Sequence, residues 1–186
     1  MFSFLGGKNG APGKFRQGKN QNYHLIEGES KMVTIRSAEK KDIKTILILL
    51  DEVNEIHEKA RPDIFKRGQK YHEKDIEDLL NDKKIHILVA EEENTVLGYA
   101  ILKEEKQKED ELMKERRFLY MDDLCVDSKT RGKGVGTKLL RAAEDLARSL
   151  SYPSITLRVW GFNKSAIAFY QREGYLSLYE EREKKL

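Results

Sequence analysis

Apolar residues recur along this chain at two periods, and each change of period marks a new element. Met32-Val33-Thr34-Ile35-Arg36 alternates and reads as a short strand. From about Glu39, Ile43, Ile46, Leu47, Leu50, Val53, Ile56 and Ala60 fall at three- and four-residue steps, the pattern of a helix buried on one face. Pro62 ends it, because proline drives the preceding residue out of the helical region. His57 shares a side with Val53 and Ala60 and reads as a half-buried structural histidine. A charged helix follows near His72 to Asn81. Two apolar runs, Ile85 to Ala90 and Thr95 to Leu102, flank Glu91-Glu92-Glu93-Asn94 and predict a hairpin. The charge run Lys103 to Glu115 reads as a solvated loop.

The next strand covers Phe118 to Val126, and a helix is expected from Thr137. That helix places Leu139, Leu140, Ala143, Leu146, Ala147 and Leu150 on one face. Ser151-Tyr152-Pro153 turns the chain into a strand at Ile155 to Trp160. A short helix from Ser165 to Glu173, stopped by Gly174, leads to a final strand at Tyr175 to Tyr179. The order is therefore β-α-α-β-β-β-α-β-α-β.

Length suits one domain with a real core, since the chain has 186 residues. Residues 1–31 lack either period and read as a disordered leader or expression scar; 32–186 hold the domain. Lys8, Lys14, Arg16, Lys19 and Lys31 outweigh Glu27 and Glu29 in that leader, which accounts for the whole net charge of +3. The body is neutral, so no broad nucleic-acid footprint is expected. Apolar runs fall short of the ~20 residues of a membrane span, and the single cysteine excludes an internal disulfide. A cytoplasmic protein fits. Four scattered histidines with one cysteine offer no metal site.

Between strand and helix lies Arg131-Gly132-Lys133-Gly134-Val135-Gly136. Glycines let backbone approach an anion closely, and the unpaired N–H groups of a helix start point at it. Spacing excludes a Walker A loop and a dinucleotide fingerprint: no glycine stands five before Gly136, and the third glycine position falls on Thr137 or Leu139. What remains, R-x-x-G-x-G, resembles the acetyl-coenzyme A pyrophosphate loop of the GNAT superfamily of N-acetyltransferases. About thirty residues on, Asn163-x-x-Ala166-x-x-Phe169-Tyr170-x-x-x-Gly174-Tyr175 is similar to that superfamily's second signature. The resemblance covers about residues 32–180 and extends to small bacterial acetyltransferases. It implies an α/β (α+β) fold: one mixed, mostly antiparallel, twisted sheet of six to seven strands flanked by about four helices.

Acyl transfer from a thioester needs a neutral amine, a donor for the departing thiolate and an N–H for the oxyanion. Neutralising a lysine-like amine at pH 7 costs about 4–5 kcal/mol. The resemblance places the carbonyl-binding N–H at Leu124, Cys125 or Val126, and the general acid at Tyr170. Cys125 itself reads as a small buried hydrophobe. By alternation Tyr120, Asp122, Leu124 and Val126 share a face, with Asp123 opposite; the resemblance implies a base where Tyr120 and Asp122 fall, and Asp122 is the expected one. The coenzyme is expected on the N–H groups of Arg131, Gly132, Lys133, Gly134, Val135, Gly136 and Thr137, with Asn163 and Ser165 near its arm. The implied activity is acetyl-CoA-dependent N-acetyl transfer to a primary amine, on a small molecule or on a peptide or protein, by direct attack in a ternary complex, without a metal. A homodimer is compatible with this reading. A non-catalytic acyl-CoA sensor of the same fold is the alternative, and a nucleic-acid module using the basic leader is a third.

Overall fold

The computed structural model describes residues 32–186. The leader expected at residues 1–31 lies outside that range. The described chain forms one five-stranded sheet in the order β1-β2-β3-β4-β5, with four α-helices. The strands are β1 (Thr34–Ser37), β2 (Ile85–Glu92), β3 (Thr95–Gln107), β4 (Arg116–Val126) and β5 (Ile155–Leu157). The helices are α1 (Ile43–Ala60), α2 (Glu73–Asn81), α3 (Val135–Ser149) and α4 (Lys164–Arg172). β1 to β4 pair antiparallel, whereas β4 and β5 pair parallel. The mixed, mostly antiparallel sheet is as expected; five strands replace six to seven.

The missing strand is the last one, and one other element differs in length. Residues 175–179 run without regular structure, and Leu176, Leu178 and Tyr179 stand exposed. Their alternation satisfies a strand pattern, but pairing needs a partner edge that the pattern cannot supply. Conversely, the charge run is not all loop. β3 continues through Gln107, because Lys103 to Gln107 pair with Tyr120 to Arg116, and a ladder supplies hydrogen bonds to charged and apolar residues alike. The hairpin turn narrows to Glu93 and Asn94, both at positive φ.

The sheet separates two layers of core. On one face Ile46, Leu50 and Ile76 from α1 and α2 meet Val89, Tyr99, Ile101 and Cys125. On the other Leu139, Leu140 and Ala143 of α3 cover Ala100, Leu102, Leu119 and Met121. At the start of α1, Asp42 is buried and takes two hydrogen bonds from the Arg36 guanidinium, at 2.7 and 2.9 Å, and one from the Glu39 N–H. Burial alone would raise its pKa, but these donors outweigh burial and hold the carboxyl below its ordinary range.

Asp42 therefore stabilises the fold above about pH 4, and that contribution disappears as pH falls through its depressed folded value. Asp42→Asn should cost about 3 kcal/mol at pH 7 and flatten the acid limb of a stability-pH curve measured by urea unfolding. Gly98→Ala should cost about 2–3 kcal/mol in the same assay. Its Cβ would stand 2.6 Å from the Cys125 carbonyl oxygen, a backbone atom that cannot rotate away.

Candidate active site

β4 outlasts its neighbour. It pairs with β5 only from Leu119 to Met121, against Ile155 to Leu157, and then continues to Val126. From Asp122 onward the side of β4 turned away from β3 carries no strand among the described residues. Backbone groups of Leu124, Cys125 and Val126 are therefore beside a gap in the sheet.

Where the gap opens, β4 carries one extra residue. Leu102 faces Met121 and Ile101 faces Asp123, so Asp122 has no partner on β3. The bulge breaks the alternation. Asp123 does not point away from Asp122: Lys70 Nζ is 3.0 Å from Asp122 Oδ2 and 3.2 Å from Asp123 Oδ2. Leu124 and Val126 instead pack on the α3 face, so they share no side with Asp122. The Tyr71 hydroxyl donates to Asp122 at 2.6 Å, and Lys103 Nζ lies 3.1 Å from its other oxygen.

The two carboxylates are both enclosed, with side chains 14% and 9% exposed, yet they titrate apart. Burial pushes Asp122 up, but hydrogen bonds from Tyr71 and Lys70, with Lys103 behind them, bring it below the ordinary value. Burial dominates at Asp123, where Lys70 and His57 offset it only in part, and its pKa is raised. The Tyr99 hydroxyl sits in the same layer, fully buried and without a partner among the described residues.

Cys125 is buried and its thiol donates to the Leu49 carbonyl at 3.3 Å. Burial, reinforced by Asp123, pushes the thiol up to about 12. A thiol protonated at neutral pH is a poor nucleophile. Tyr170 on α4 packs between Phe169 and Tyr175, with ring centroids 5.3 and 5.6 Å away. Burial first, then the Asp123 charge, raises its pKa, so it holds its proton as a donor must.

The glycine turn does not cap α3 with a side chain. Gly132 and Gly134 adopt φ of 81° and 79°, and Gly134 is the helix N-cap. The first amide of this turn to find a backbone acceptor is that of Lys138, which donates to the Gly134 carbonyl at 3.0 Å. The N–H groups of Lys133 to Thr137 find none among the described residues. Such a helix start suits an anion. Gly136 also lets α4 approach, since a Cβ there would lie 3.1 Å from the Phe169 ring. Thr137 Oγ1 donates to Glu173, and Asn163 Oδ1 accepts from the Ala166 N–H and the Ser165 hydroxyl. Asn163 and Ser165 thus build the start of α4.

Lys70, Tyr71 and Lys103 carry no signal in the sequence. They come from the approach to α2 and the end of an apolar strand, and no spacing rule links them to β4. His57 is half-buried as expected, against Phe65 and Phe162. Among the described residues no cluster of His, Cys, Asp or Glu is placed to hold a metal, and no helix is long and apolar enough to cross a membrane.

Comparison with known proteins bears on this arrangement. The sequence matches the Acetyltransferase (GNAT) family over residues 50–175. It is 27% identical over 147 residues to the uncharacterized N-acetyltransferase YhfO of Bacillus subtilis strain 168, covering 77% of this chain and 89% of that protein. It is 33% identical over 82 residues to YxbD of the same organism, a match spanning 42% of this chain and 49% of that protein. A tetramutant of the BH1408 protein from Bacillus halodurans superposes with a TM-score of 0.78 at 27% identity, over 82% of this chain and 99% of that one. An aminoglycoside acetyltransferase from a soil metagenomic sample shares the fold, with a TM-score of 0.62 at 20% identity over 83% of this chain and 93% of that one. The chain belongs to the Acetyltransferase (GNAT) family.

Proposed function

We propose that this protein transfers the acetyl group of acetyl-CoA to a primary amine by direct attack. The observation that carries the reading is the uncapped start of α3 beside the opened edge of β4. Amides from Arg131 to Thr137 would take the coenzyme diphosphate, with Gly132 and Gly134 supplying the left-handed backbone that aims them. A backbone N–H from Leu124, Cys125 or Val126 would polarise the thioester carbonyl. Asn163 Nδ2 remains for the coenzyme arm, its Oδ1 being held by the helix start.

The base follows from the two aspartates. Asp122 is the residue the sequence favours, but three donors stabilise its ionised form and weaken it as a base. Asp123 has the raised pKa and is the better proton acceptor. Asp123 takes the ammonium proton and returns it to solvent, the amine nitrogen bonds the carbonyl carbon, and the nitrogen loses its second proton to solvent as the carbon–sulfur bond breaks. Tyr170 gives its proton to the departing thiolate and is reprotonated from solvent. Cys125 takes no covalent part.

Thiol release from acetyl-CoA across a panel of amines tests the reading, with coenzyme binding measured by calorimetry. Amine-dependent release is expected; binding without release from any amine favours the sensor alternative. Asp123→Asn should lower kcat/KM about 10²- to 10⁴-fold and remove the acidic limb of the pH-rate profile. Asp122→Asn should keep that limb. Tyr170→Phe should reduce kcat at least about 10²-fold without weakening coenzyme binding; an unchanged kcat rules out its role as acid.

A further inference from the structure

Four rings from three separate segments meet beside the aspartates. His57 at the end of α1 lies 5.0 Å from Phe65 and 5.5 Å from Phe162, centroid to centroid. Phe65 meets Trp160 edge-on at 5.0 Å, and Trp160 stacks near Phe162 at 6.0 Å and 17°. His57 is near enough to Asp123 to pull its pKa down in part. Trp160 and Phe162 follow β5 directly, on the side where β4 and β5 have parted. The cluster therefore borders the gap on the face that carries the aspartates.

This patch is open and apolar. Trp160 is 43% exposed, and Val159 and Ile64, the chain neighbours of Trp160 and Phe65, are 37% and 46% exposed. Gly161 puts no side chain between the two stacked rings, and a Cβ there would meet nothing within 4 Å. Four rings elsewhere carry the chain's own cations: Lys70 and Lys103 over Tyr71, Arg116 over Phe118, Arg117 over Tyr152 and Arg172 over Phe169. Among the described residues no lysine or arginine lies over these four rings. Arg61, the nearest in sequence to Phe65 on its N-terminal side, is tied to Asp63 and Glu183, and Arg158 is drawn to Tyr179.

We propose, resting on the acetyl-transfer reading, that the acceptor is a primary amine carried on an aromatic or bulky apolar body. Its ring lies against Trp160 and Phe162 while its amine reaches Asp123. A polycation such as a polyamine or aminoglycoside fits less well, because it needs several free carboxylates. Here Asp63 is bonded to Arg61 and Lys185, Glu183 to Arg61, and Asp122 to Tyr71, Lys70 and Lys103. Burying an aromatic body against exposed rings returns both apolar area and ring–ring attraction.

Trp160 is the single tryptophan of the chain, so its emission reads this patch without turnover. Titrating the full chain, with acetyl-CoA present, with phenethylamine should quench or shift that emission at concentrations where ethylamine and spermidine do not. In the thiol-release assay phenethylamine should exceed both by at least about tenfold in kcat/KM. Trp160→Ala and Phe162→Ala should each narrow the phenethylamine-to-ethylamine ratio about tenfold, chiefly through KM. Turnover with spermidine favoured, or a ratio that neither variant moves, overturns the acceptor class but leaves acetyl transfer standing. Failure of every amine to release thiol, with coenzyme bound, overturns both.

Discussion

One unpaired residue in β4 organises the site. With Asp122 bulged out opposite Ile101 and Leu102, two successive side chains face the α1 layer. The strand then resumes its alternation, with Cys125 toward α1 and Leu124 toward α3. An unbroken strand would put one aspartate in each layer of core, where neither could share Lys70. The added local twist of a bulge also fits a strand that leaves its parallel neighbour after Met121.

Placing two carboxylates in a half-closed layer is costly unless each finds partners. Lys70, Tyr71 and Lys103 provide them unequally. Asp122 receives three, while Asp123 shares one ammonium and keeps most of its desolvation. That inequality separates two chemically identical groups into a stabilised anion and a stronger base. Gathering the partners requires the segment before α2 to reach β3 and β4 while α2 itself packs on α1 and β2, so the electrostatics depend on the core around Ile76.

The far side of the gap is governed by backbone. Gly132 and Gly134 hold conformations that side chains rarely adopt, and the helix they open has no capping side chain. Its first amides find no backbone acceptor among the described residues. Gly136 matters in a different way. By lacking a Cβ it lets Phe169 approach, which sets Tyr170 in the same layer as Tyr175.

The periodicity of the chain is enough to locate four helices and the five strands, and two spaced motifs are enough to indicate the family. These are local properties: a 3.6-residue repeat, a glycine turn and an N-capping asparagine each act within a few residues. Alternation alone also places a final strand where none forms and cuts β3 short at Lys103, because pairing depends on which edge is free. The Asp122–Asp123 arrangement is hidden for the same reason. A bulge is decided by register against β3, and alternation read along one strand assumes that register is unbroken. Lys70, Tyr71, Phe65 and Phe162 gain their places only when distant segments pack around β4, since side chains remote in sequence meet through the tertiary fold alone.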